Sequence, residues 1–171
     1  MTYDAILYDL DGTLVRLAVD WTAVEREIAA VLREAGGEPD GLVTWELLDA
    51  ADEVGVRTDV EEILSRHERA GARNAERLPL ADELRADDGP TGVVSLNAES
   101  AVRIALENES LADAVDVVVG RDTVANRKPH PEPLLAALAA IGVPAENALF
   151  VGDSDTDERA AERAGMAFKR V

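Results

Sequence analysis

Two aspartates, Asp9 and Asp11, stand two residues apart at the end of the short apolar run Ala5-Ile6-Leu7-Tyr8, and Gly12-Thr13 follow at once. A run this short and apolar reads as a buried strand, and residues at i and i+2 of a strand project to the same side. Like charges held this close raise one another's pKa and call for a compensating cation. A hard metal ion and a task in acid/base or nucleophilic chemistry account for such a pair.

The rest of the chain has two textures. Helical spacing of apolar residues marks segments of about 21–32, 44–54 and 59–75, with another short helix over 80–86 and a turn at Asp87-Asp88-Gly89-Pro90. Beyond it, strand-like and helical stretches alternate: strands near 92–95, 115–119, 148–151 and 166–171, helices near 99–107, 131–141 and 156–164. Alternation of this kind predicts an α/β fold, a Rossmann-like three-layer core with a parallel sheet and helices on both faces. The core is expected to comprise residues 1–15 and 79–171, with 16–78 an all-helical insertion after the first strand.

Charge narrows the partners. Thirty-five acidic residues face 17 basic ones, a formal net charge of −18, and the basic set contains only two lysines, Lys128 and Lys169. Nucleic acid and anionic membranes are poor partners for such a surface. It reads as the surface of a protein from a halophile, an acidic protein from a high-GC genome being the other reading. No cysteine is present, so disulfides and thiolate metal sites are excluded. No apolar run approaches the ~20 residues that span a bilayer, and no basic-then-apolar leader opens the chain, so a cytoplasmic location is expected. Amid so many acids a lone Asp says little, whereas a lone Lys says more than usual.

In open α/β sheets the ligand crevice lies beyond the carboxyl ends of the strands. Asp9 and Asp11 fall at the end of the first strand, Ser95 at the end of the second, Arg127-Lys128-Pro129 in the loop after the third, and Gly152-Asp153-Ser154-Asp155-Thr156-Asp157 after the fourth. Oxygen ligands, a hydroxyl and a cation at one rim form an inventory for Mg²⁺-assisted phosphoryl transfer. Each residue also has a plainer reading. The aspartates could be an acidic strand end, Ser95 a turn residue, and Lys128 a surface cation. Asp153, Asp155 and Asp157 could be helix caps.

Taken together, Asp9-Leu10-Asp11-Gly12-Thr13, Ser95, Lys128-Pro129-His130-Pro131-Glu132-Pro133 and Gly152-Asp153-Ser154 with Asp157 resemble the four motifs of the haloacid dehalogenase superfamily, in the branch containing phosphoglycolate phosphatases. The resemblance covers residues 4–14 and about 79–168. It implies an aspartyl-phosphate formed on Asp9, with Asp11 protonating the leaving alcohol and then deprotonating water. It implies Mg²⁺ held by Asp9, the backbone carbonyl of Asp11, and Asp153. Asp157 would be a more remote or water-mediated metal partner that orients Lys128, while Ser95 and Lys128 bind the phosphoryl group. The family often has Asn directly after its Ser or Thr; here Leu96 intervenes before Asn97.

An insertion at 16–78 resembles the type 1 cap of that superfamily, which implies a small phosphorylated metabolite as substrate and phosphoglycolate as the reference compound. Arg16, Arg57, Arg66, Arg69 and Arg73 are cations that could meet the far end of a substrate, Arg16 being the best placed. The others read first as solvated partners of Glu61, Glu62, Glu68 and Glu76. Trp21 and Trp45 read as packing residues between cap helices. A phosphosugar mutase of the same superfamily and a non-catalytic small-ligand-binding protein on the same fold are the alternatives. The assembly expected is a monomer or homodimer.

Overall fold

The computed structural model describes residues 3–86 and 89–171. Asp87 and Asp88, in the turn expected from the sequence, lie outside the described residues. In chain order the elements are β1 (Ala5–Tyr8), β2 (Val15–Arg16), α1 (Trp21–Glu34), α2 (Thr44–Glu53), α3 (Arg57–Ala72), β3 (Glu76–Arg77), α4 (Leu80–Ala86), β4 (Thr91–Val94), α5 (Glu99–Asn108), β5 (Val117–Val119), α6 (Glu132–Ile141), β6 (Ala148–Gly152), α7 (Asp155–Ala164) and β7 (Ala167–Arg170).

Five strands form one parallel sheet in the order β5-β4-β1-β6-β7, so the first strand in the chain is the middle strand of the sheet. Leu7 of β1 pairs with Gly92 of β4 on one side and Phe150 of β6 on the other. Because alternate side chains leave a strand on opposite faces, the sheet divides the core in two. Tyr8, Val93, Val118 and Val151 meet Val102 and Leu106 of α5 and Leu84 of α4. Leu7, Val94, Val119 and Phe150 meet Leu134 and Leu138 of α6 and Ala160 and Ala161 of α7. The α/β expectation is therefore borne out, with both faces of the sheet covered.

Helices α1, α2 and α3 pack on one another around a third apolar cluster of Val24, Ile28, Leu32, Leu47, Leu48, Val60 and Leu64. Asp20 starts α1 by accepting a hydrogen bond from the Ala23 amide at 3.0 Å. The segment is not purely helical, however. Its two ends are tied by a two-stranded antiparallel ribbon in which Val15 pairs with Arg77 and Arg16 with Glu76. Strands of two residues carry no periodic pattern, which is why the ribbon is invisible in the sequence.

Candidate active site

The carboxyl ends of β1, β4 and β6 bring the motif residues together. Asp9 follows β1 directly, and its backbone amide donates to the Val151 carbonyl at 2.9 Å, which extends the strand and fixes the side chain at the rim. Ser95 follows β4 and is held likewise by the Val119 carbonyl at 3.0 Å. Lys128 reaches in from the loop between β5 and α6; its peptide to Pro129 is cis. Its ammonium donates to Asp9 Oδ1 at 2.7 Å, Asp157 Oδ1 at 2.6 Å and the Val94 carbonyl at 3.0 Å. All three donor positions of the buried ammonium are therefore occupied.

Asp157 serves two neighbours. Its Oδ1 faces Lys128, while its Oδ2 accepts from Ser154 Oγ at 2.6 Å and from the Ser154 amide at 3.2 Å, closing a capping box at the start of α7. The capping reading and the site reading thus hold together for this residue. Asp155, by contrast, pairs with Arg170 at 2.7 Å on the exterior. Asp11 accepts from the Leu17 amide at 2.9 Å. Ser95 Oγ donates to Asn97 Oδ1 at 3.0 Å and accepts from the Asn97 amide at 3.1 Å, so the displaced Asn97 still joins the site.

Carboxylate oxygens of Asp9, Asp153 and Asp157 lie within 4.8 Å of one another. Hard oxygen donors at this separation suit a small divalent cation such as Mg²⁺. The backbone around them is fitted as closely. Gly12 has a φ of +88°, and a Cβ there would come within 2.2 Å of Asp153 Oδ2, so only glycine lets the turn approach that carboxylate.

Electrostatics follow from burial and from sharing one cation. Burial is the main cause that pushes Asp9 up to about 7; Lys128 opposes the shift and Asp157 adds to it. Burial likewise raises Asp11, with Asp153 adding repulsion. Asp153 is raised by burial and by Asp157. For Lys128, burial acts to lower the pKa, but Asp9 and Asp157 outweigh it and hold the ammonium charged.

A cleft of about 150 Å³ opens over these groups, lined by Asp9, Asp11, Ser95, Leu96, Asn97, Lys128, Asp153, Ser154 and Asp157, and on the insertion side by Trp21 and Trp45. Both tryptophans pack on the α1–α3 cluster as expected, yet they also wall the cleft. Arg16 is not among the lining residues. It sits on the ribbon, 3.6 Å from Glu76, although its charge acts to lower the Asp11 pKa.

One group of residues escaped the sequence reading. Glu68 is not a solvated helix partner; its side chain is fully buried. It binds Arg121 at 2.6 and 3.2 Å and accepts from the Ala98 amide at the start of α5 at 2.9 Å. Arg121, also buried, reaches Glu61 at 2.9 Å and the Leu96 carbonyl at 2.8 Å, joining α3 to the loops beyond β4 and β5. Its position just past Val119-Gly120, at the same strand-end rim as the motif residues, is the signal that could have found it.

The chain belongs to a known family. Residues 6–171 match the family model described as haloacid dehalogenase-like hydrolase. The phosphoglycolate phosphatase of Rhodospirillum rubrum is 34% identical over 95% of this chain and 76% of its own length. That of Aquifex aeolicus is 31% identical over 94% of this chain and 80% of its own. Among solved structures, a HAD-superfamily hydrolase of subfamily IA from Geobacter sulfurreducens superposes with a TM-score of 0.63 at 25% identity, covering 98% of this chain and 88% of that one. CbbY from Rhodobacter sphaeroides, in complex with phosphate, gives 0.64 at 22% identity over 98% and 85% of the two chains; at that identity the likeness is one of fold.

Proposed function

From the premise that the chain belongs to the haloacid dehalogenase-like hydrolases and is a phosphatase, we propose that it is a Mg²⁺-dependent phosphomonoesterase acting on a small phosphorylated metabolite through an aspartyl-phosphate, with phosphoglycolate as the reference compound. The observation that carries this reading is the ammonium of Lys128 bridging Asp9 and Asp157 beside Asp153, with Asp11 lining the same cleft.

Asp9 is the nucleophile: a carboxylate oxygen attacks phosphorus, and the bond from phosphorus to the ester oxygen breaks. Asp11 gives its proton to the departing alkoxide. Its burial-raised pKa suits that duty, because an acid that stays protonated closer to neutrality is a better donor at working pH. In the second half Asp11 takes a proton from water as the water attacks phosphorus, releasing phosphate and restoring Asp9. Lys128 and Ser95 bind the phosphoryl oxygens. Asp9, the Asp11 carbonyl and Asp153 are the residues to hold Mg²⁺, with Asp157 orienting Lys128. When bound, the cation supplies the positive charge that keeps Asp9 ionised and balances the phosphoryl group. In this reading residues 16–78 act as the cap and exclude water from the cleft.

The test is hydrolysis of a generic aryl phosphate in molar salt, which screens the −18 charge. Phosphate release should require Mg²⁺ and vanish in Asp9→Asn, and Asp11→Asn should accumulate phosphoryl on Asp9, read by mass spectrometry. Absence of release from folded, Mg²⁺-loaded wild type overturns the reading.

A further inference from the structure

The cleft has an acidic floor and an apolar roof, and its charges leave one kind of leaving group favoured. Among the lining residues Lys128 is the sole cation, and Asp9 and Asp157 already engage it. Arg127, the guanidinium beside the roof, binds both oxygens of Asp49 at 2.9 and 2.7 Å, and Arg121 is engaged by Glu61 and Glu68. With Lys128 and the proposed Mg²⁺ committed to the phosphoryl group, a carboxylate on the leaving group would meet aspartates and indoles. The roof instead offers Trp21 from α1, Trp45 from α2 and Leu96.

Trp45 is also fixed in place. The guanidinium carbons of Arg121 and Arg127 lie 5.8 and 5.9 Å from its ring centroid, within the range of cation–π attraction. Neither indole N–H has a protein acceptor among the described residues. A ring held by two arginines is preorganised as a contact surface.

We propose that Trp21 and Trp45 select the leaving group, favouring phosphomonoesters of flat, uncharged aromatic alcohols over esters that carry a carboxylate. The proposal rests on the phosphomonoesterase reading and sets an aryl ester in place of phosphoglycolate, the reference compound of that reading; Arg121 and Arg127 are positioning residues for Trp45.

The chain has only two tryptophans, and both line this cleft, so its tryptophan fluorescence reports on the site. The experiment compares p-nitrophenyl phosphate with phosphoglycolate in two readouts. In Asp9→Asn with Mg²⁺, binding is followed by fluorescence; the aryl ester should quench it at lower concentration than phosphoglycolate perturbs it. In turnover, wild type should show the higher kcat/KM for the aryl ester. Trp45→Ala should lower that value roughly tenfold, through KM, and lower the value for phosphoglycolate by a clearly smaller factor. Trp45→Phe should recover most of the loss, and Trp21→Ala gives the same comparison from the other helix if Trp45→Ala fails to fold. A wild type that prefers phosphoglycolate, or a Trp45→Ala that lowers both substrates equally, overturns the proposal. Wild type that turns over neither ester overturns the phosphatase reading instead, and the fluorescence comparison still decides the roof.

Discussion

Two groups of buried charge lie a short distance apart in this molecule, and they are balanced differently. Between α3 and the sheet rim, Arg121 and Glu68 are buried against each other, one cation to one anion, and the Ala98 amide takes a remaining lone pair of Glu68, while the part-exposed Glu61 lies between Arg121 and Arg57. At the strand ends, Lys128 faces Asp9 and Asp157 directly, with Asp11 and Asp153 close by, one cation to four carboxylates. A neutral, fully hydrogen-bonded cluster is complete as it stands and joins two parts of the fold. A cluster short of positive charge is incomplete, and in the proposed function Mg²⁺ supplies the missing charge. The contrast teaches which buried ions to read as structure and which as chemistry: the charge balance decides, more than the depth of burial.

The largest consequence concerns Lys128. Lys128→Met removes the only ammonium among four carboxylates and should lower kcat/KM roughly 10⁴-fold, measured as phosphate release at saturating Mg²⁺. Arg121→Met strands Glu68 without its cation and should cost about 3–5 kcal/mol of stability in denaturant titration. Adding Glu68→Leu should recover most of that loss, since an apolar pair of similar size can replace a balanced one. If the double variant is no more stable than Arg121→Met, the cluster is not the self-contained unit described above. Gly12→Ala puts a methyl group where Asp153 now sits and should weaken Mg²⁺ binding roughly ten- to a hundredfold by calorimetry.

The smallest effect is on pH. Proton and cation compete for the same Asp9 oxygens, and burial holds that carboxyl at about 7 in the metal-free protein. Apparent Mg²⁺ affinity should therefore fall about tenfold between pH 8 and pH 6, because the ionised fraction falls by that factor. Asp9→Asn should flatten the dependence; a slope that survives in the variant would assign it to another group.

These clusters were not equally visible in the sequence. Asp9, Asp11, Ser95, Lys128, Asp153 and Asp157 each follow a strand-like run, and a parallel sheet gathers strand ends at one rim, so their meeting could be read from spacing alone. Arg121 also follows a strand, and that position is its one mark, since arginine is common in this chain, fifteen in all. Glu68 lies at helical spacing among exposed acids, and only the approach of α3 to the start of α5 buries it. Tertiary packing, absent from local pattern, made that difference. The same holds for Trp21 and Trp45, whose helical spacing announces packing and hides the cleft they also line.

The position of β1 in the sheet bears on how the chain is made. Ile6 pairs with Thr91 and Ala5 with Ala148, so β1 has no partner until far more of the chain has been synthesised. Helices α1–α3, whose apolar cluster is drawn from residues 24–64, are complete long before then. Local contacts form quickly and distant strand pairings slowly, so the order of synthesis favours the helical insertion as the first packed unit. Asp9, already translated, acquires its surroundings only when β4 and β6 arrive, so the strand-end rim is assembled after the helices that come to lie beside it.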